Sequence, residues 1–276
     1  MLSFRFLMFV VAFMAGPALA ENCPECPSLD GFVSPDKIDD DIRKMVGKYK
    51  GGRGRKNVAI QQARGVIETG LQPAFIGGAN CPGIDSEQWA IDYTYKRKRA
   101  ALHKGIDIVQ PRGTPILAIA DGVVVGKFMN DGNKKGIEIV LRHTPEQTGL
   151  AFWTYSQYTH LREMSPLDIG AIVQMGDEIG ATSNSGKMGK HIRRDALHFA
   201  IFYSNRPEWS HDGRVFTAID SYFMDPTAFY KRSGPYDSQA LLALPDNQKD
   251  IPVPYIKPNG TFVPSNTKRI WPYPCP

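Results

Sequence analysis

From Gly105 to Tyr203 the chain alternates short runs of branched and aromatic residues with turn residues. The runs are Gly105–Val109, Ile116–Val125, Gly136–His143, Ala151–Thr159, Ala171–Ile179 and Ala196–Tyr203, and Asp121-Gly122, Asn130-Asp-Gly-Asn and Gly176-Asp177 punctuate them. Short strands repeated at this spacing predict a mostly β, antiparallel sandwich or barrel, without the long helices a parallel sheet requires. The flanks read differently. Residues Ser34 to Thr69 are polar, with apolar positions at helical spacing (Ile38, Ile42, Met45 and Val46, then Val58, Ile60, Ala63 and Val66), which predicts one or two helices in an N-terminal extension. Ser233 to Pro276 is dense in proline, including Ile251-Pro-Val-Pro and Trp271-Pro-Tyr-Pro-Cys-Pro, and reads as an extended tail that wraps the domain or is partly mobile.

The first twenty residues carry one positive charge, Arg5, then an apolar run from Phe6 to Met14 and Ala18-Leu19-Ala20. This is the layout of a secretory signal cleaved after Ala20. The run is too short to span a bilayer, and no later segment is apolar enough to be a membrane helix. With Glu21 rather than a cysteine leading the mature chain, no lipid anchor is indicated at that site. The expected location is therefore the periplasm, the cell surface or the medium. The formal charge of +5 falls to +4 once Arg5 is removed, a mild excess that suits an anionic polymer such as cell wall. The basic clusters Lys48–Lys56 and Lys96–Arg99 read as solvated faces, since export argues against a nucleic-acid partner. All four cysteines, Cys23, Cys26, Cys81 and Cys275, follow the leader and would meet an oxidising compartment, so structural disulfides are expected, with connectivity open.

Candidate chemistry begins at Leu102-His103-Lys104-Gly105-Ile106-Asp107-Ile108. On a fully extended strand His103 and Asp107 share a face but stand about 13 Å apart, at roughly 3.3 Å per residue, too far for one metal ion. A turn at Gly105 before the strand begins removes the conflict. A helix would also align the pair, but the following Ile-Asp-Ile-Val run favours strand. In Asp195-Ala196-Leu197-His198-Phe199-Ala200-Ile201-Phe202, alternation places Leu197, Phe199 and Ile201 on one face and Ala196, His198 and Ala200 on the other. His198 thus rides on a strand anchored by apolar packing behind it, a support that suits a ligand and equally an ordinary half-buried histidine. Tyr158-Thr159-His160-Leu161 closes an aromatic run, and Ile172-Val-Gln-Met-Gly-Asp-Glu-Ile-Gly180 follows after a loop.

Taken in order, His103-Lys-Gly-Ile-Asp107, Gly113-Thr-Pro-Ile-Leu-Ala-Ile-Ala-Asp-Gly122, Tyr158-Thr-His160-Leu, Val173-Gln-Met-Gly-Asp-Glu-Ile-Gly180 and Leu197-His198-Phe199 resemble the lysostaphin/LytM family of zinc endopeptidases, over about half of the chain. The resemblance implies the duplicated hybrid motif fold, and together with the leader and flank readings above it divides the sequence into a signal peptide (1–20), a partly helical extension (21–88), a LytM-type domain (89–231) and a proline-rich tail (232–276). It implies zinc held by His103, Asp107 and His198, three protein ligands with the fourth tetrahedral position open, which is the catalytic rather than the closed structural arrangement. His160 would stand beside the reacting water to move a proton or stabilise the oxyanion. Peptide cross-bridges or stem peptides of peptidoglycan would be the substrates. One departure stands out: the family ends on His-x-His, and this chain has Ala196 in place of the first histidine. His191 or Asp195, in the preceding insertion-like loop, is a candidate replacement. Two functions follow, a zinc-dependent peptidoglycan endopeptidase, or a catalytically impaired regulator or wall-binding module acting on another cell-wall hydrolase. A secreted protease acting on proteins is a third class, since its zinc chemistry would be the same.

Overall fold

The structure, a computed structural model, describes residues 30–37, 58–92, 102–130, 135–186, 194–211, 213 and 215–276. The expected signal peptide, Cys23 and Cys26, both basic clusters, the helical spacing from Ile38 to Val46, and His191 lie outside the described residues. The chain is mostly β, as its alternation requires. Seven antiparallel strands form the main sheet: β1 (Ile106–Val109), β2 (Gly122–Asn130), β3 (Gly136–His143), β4 (Trp153–Thr159), β5 (Ile172–Val173), β6 (Ala196–Ser204) and β7 (Tyr222–Met224). Their order is β7-β6-β4-β3-β2-β5, with β1 pairing β6 on the same edge as β7.

Two of the expected strands are broken in two. The run Ile116–Val125 divides into Pro115–Leu117, which pairs with Glu178–Ala181 in a small separate sheet, and β2 in the main one. Between them the backbone at Ala118 and Ile119 is taken by the Asp177 carbonyl and the Tyr158 hydroxyl, so a ladder cannot continue there. Ala171–Ile179 divides for the same reason at the Gly176 turn, where φ is +95° and the Gly176 N–H bonds to the Ala118 carbonyl. Alternation along β6 sets the core: Leu197, Phe199 and Ile201 are fully buried with Tyr155, Tyr158 and Ile139. Each such side chain is worth about 1.5–3 kcal/mol when removed from water.

The extension contributes a short helix, Val58–Ala63, within the second stretch of helical spacing, and a strand, Gln72–Phe75. That strand pairs in parallel with Asp250–Val253 of the proline-rich segment. Ile270, Trp271, Tyr273 and Cys275 are fully buried, and Cys275 forms a disulfide with Cys81, 194 positions earlier. The segment from 232 to 276 thus shares one core with the sheet. Among the described residues no helix is long and apolar enough to cross a membrane.

Candidate metal centre

β1 and β6 run antiparallel with Asp107 opposite His198, and β4 lies on the other side of β6 with Thr159 opposite the same histidine. Directly paired residues project from one face of a sheet, so Asp107, His198 and Thr159 stand in a row. His103 joins them from the bend before β1. Its Nε2 lies 3.3 Å from Asp107 Oδ1 and 2.9 Å from His198 Nδ1, and that nitrogen is 2.9 Å from the same carboxylate oxygen. The chain bends where the spacing argument put the turn, but glycine is needed at 105 for another reason. Its φ is not in the left-handed range; instead, a Cβ there would lie 2.5 Å from the Phe199 carbonyl oxygen and 2.9 Å from two ring atoms of His198. Gly105 leaves the room that His198 occupies.

The tautomer of His103 follows from its surroundings. Nδ1 is 2.8 Å from the Gln88 carbonyl, which only accepts, so Nδ1 carries the hydrogen and Nε2 turns a lone pair toward the cluster. Fixing a ligating imidazole through its other nitrogen is the usual outer support of a metal site. Burial by itself would raise the Asp107 carboxyl, but the adjacent imidazoles, His103 before His198, outweigh it and hold the group well below the usual carboxylate range. A single proton bridges two of these three atoms, whereas one cation at the centre serves all three. His103, Asp107 and His198 are the group of potential ligands found among the described residues, their donor atoms lying within 4.8 Å of one another. Two imidazoles and a carboxylate fit zinc, a borderline ion that takes nitrogen and oxygen at tetrahedral sites. His198 keeps 18% of its side chain exposed, which opens the cluster to solvent.

His160 follows β4, its ring centroid 5.9 Å from that of His198. Nδ1 donates to the Ser185 carbonyl at 3.0 Å, and the residue adopts φ +71°, uncommon for a side chain larger than glycine. A strained backbone of this kind persists where its surroundings over-determine it. Ala196 is buried opposite Val109, two residues before His198 and on the same face. Asp195 pairs with Arg112 at 2.9 Å, and alternation directs it with Leu197 to the opposite face. Sequence reasoning missed the carbonyls of Gln88 and Ser185, which have no side-chain signature. It also missed Glu138, fully buried opposite Thr159 in the same row and held by Lys135 at 3.0 Å and Gln157 at 2.8 Å. A charged residue amid Gly136-Ile-Glu-Ile-Val was the available signal.

Residues 101–208, which carry this row of potential ligands, match the profile of Peptidase family M23. This segment is a domain of that family. Among curated relatives, an uncharacterised metalloprotease of Buchnera aphidicola is 35% identical over 38% of this chain and 24% of its own length. The peptidoglycan DD-endopeptidase ShyA of Vibrio cholerae is 32% identical over 40% of this chain and 22% of its own. The matched stretch thus spans under a quarter of the length of these relatives. Among solved structures, LytU aligns at 26% identity over 50% of this chain and 79% of its own, with a TM-score of 0.37.

Proposed function

We propose that this chain is an exported, zinc-dependent endopeptidase that hydrolyses peptide cross-links or stem peptides of peptidoglycan. One observation carries the reading: His103 Nε2, Asp107 Oδ1 and His198 Nδ1 converge within 3.3 Å of one another at a site open to solvent. The similarity to a peptidoglycan DD-endopeptidase supports the substrate class. Zinc bound there would polarise the scissile carbonyl and make water nucleophilic near neutral pH. The chain's own groups do the rest. The Gln88 carbonyl holds His103 in its ligating tautomer, and the Ser185 carbonyl fixes the ring of His160 through Nδ1, so Nε2 is the nitrogen that exchanges a proton with the reacting groups. Ala196 supplies no second imidazole, which makes His160 the sole histidine of the described residues beside the ligands in this role and predicts slow turnover, an acid–base group being worth about 10²–10⁴-fold.

Metal analysis of the purified chain should give about one zinc per molecule, lost in His103→Ala and His198→Ala while the fold is kept. Digestion of purified sacculi should then release muropeptides, with casein left intact. Zinc bound without any muropeptide release, together with stimulation of a second wall hydrolase, would replace the enzyme with the regulator that Ala196 suggests. A metal-free wild-type protein would end the site assignment.

A further inference from the structure

The two ligands supplied by the β1 region are gripped from a side that the sheet does not provide. β1 pairs with β6 along one edge. Along the other runs the irregular segment 84–92, whose Ile84 and Asp92 form single bridges with Ile108 and Leu102. The N–H and C=O of both ligand residues bond to it: Asp107 N–H to Glu87 at 3.0 Å, Asp85 N–H to Asp107 at 2.8 Å, His103 N–H to Ile91 at 2.9 Å and Ala90 N–H to His103 at 3.0 Å. With Gln88 on His103 Nδ1, one non-repetitive stretch sets the backbone and the ring of the site.

A stretch without its own ladder has to be fixed from outside. Trp89 donates its indole N–H to the Ile67 carbonyl at 2.7 Å, and the Gln61 side chain accepts the Leu102 N–H at 3.2 Å. At its start, Cys81 is joined to Cys275, and the Pro82 carbonyl accepts the Trp271 indole N–H at 2.8 Å. The far side of this clamp is anchored in the domain. Ile270 N–H bonds to Ile119, Leu117 N–H to Pro272, and Tyr273 Oη lies 2.7 Å from Thr182 Oγ1.

We infer that residues 270–275, through the Cys81–Cys275 disulfide and Trp271, are positioning residues of the metal centre: they immobilise segment 81–92, which holds His103 and Asp107 at ligating distance. The consequence for zinc rests on the function proposed above; the mechanical part does not.

The full chain is compared with Cys81→Ser/Cys275→Ser and with Trp271→Phe, which keeps an aromatic ring but loses the donor to Pro82. Hydrogen exchange of the metal-free proteins should show the amides of His103 and Asp107 exchanging at least about ten-fold faster in the double variant, with Ile139 and Val140 of β3 unchanged. Zinc competition against a chromophoric chelator should show affinity weakened by about 10–100-fold, the range expected when the outer support of a ligand is lost, with a smaller loss for Trp271→Phe. Unchanged exchange at 103 and 107, or acceleration spread equally into β3, would overturn the brace. The expected exchange difference between wild type and double variant, with no zinc taken up by the wild type, would instead overturn the zinc reading and leave the brace standing.

Discussion

At the scale of single residues, Gly105 and His143 are the instructive cases. Any side chain at 105 has to displace the His198 ring or the Phe199 carbonyl, so Gly105→Ala should weaken zinc binding by at least about ten-fold, measured by chelator competition, and cost about 1–3 kcal/mol of stability. His143 is fully buried between the Asp121 carbonyl and the Ser156 hydroxyl, each at 2.7 Å, and burial pushes its imidazole down to about 4 against the bond to Asp121. The unfolded chain binds the extra proton between about pH 6.5 and 4, so His143 contributes stability that is complete above 6.5 and is lost as the pH falls through that window. At 1.36 kcal/mol per pH unit this amounts to about 3 kcal/mol. Asp225, raised to about 6 by burial, acts with opposite sign over an overlapping range, so the slope of the wild type mixes the two. Denaturant titrations of wild type and His143→Gln at a series of pH values separate them: the difference between the curves should shrink toward pH 4. Spacing and alternation left His103, Asp107 and His198 open to ordinary structural readings, and the family resemblance singled them out as a set; the structure brings their donor atoms within 4.8 Å of one another. The role of Gly105 was not legible in the sequence, since it depends on a ring brought from a distant strand.

At the scale of elements, alternation located the strands well, because a two-sided sheet needs period two and little else. It located their ends poorly where backbone groups find partners outside the ladder, as at Ala118 and Gly176. The hairpin of Trp209–His211 and Phe216–Ala218 shows how a short element is secured. Trp209 is buried, stacks on Phe216 at 5.9 Å, meets Phe32 edge-on at 5.1 Å and donates its indole N–H to the Asp30 carbonyl. Val33 N–H to Trp209 O and Trp209 N–H to Gly31 O complete the attachment of residues 30–33. Trp209→Ala should therefore cost about 3–5 kcal/mol in denaturant unfolding and expose the 30–33 segment to limited proteolysis.

At the scale of the whole molecule, the proline-rich segment is structural. Ile251, Val253, Ile270, Trp271, Tyr273 and Cys275 are buried in it. At about 1.5–3 kcal/mol each their burial rivals the total stability of an ordinary domain, about 5–15 kcal/mol. A chain truncated after residue 231 should lose its cooperative thermal transition, read by circular dichroism. Composition predicted a tail that wraps the domain or is partly mobile and did not decide between them, because prolines that cannot join a ladder still fill a core between fixed partners, and because the pairing of Cys81 with Cys275 joins residues 194 positions apart. That separation also imposes an order on biosynthesis. A nascent chain acquires His103, Asp107 and His198 early, but the clamp behind the first two closes only after residue 275 has emerged and met an oxidant. Under the export and the brace proposed above, the metal centre would reach its full affinity last, once the disulfide has formed outside the cytoplasm.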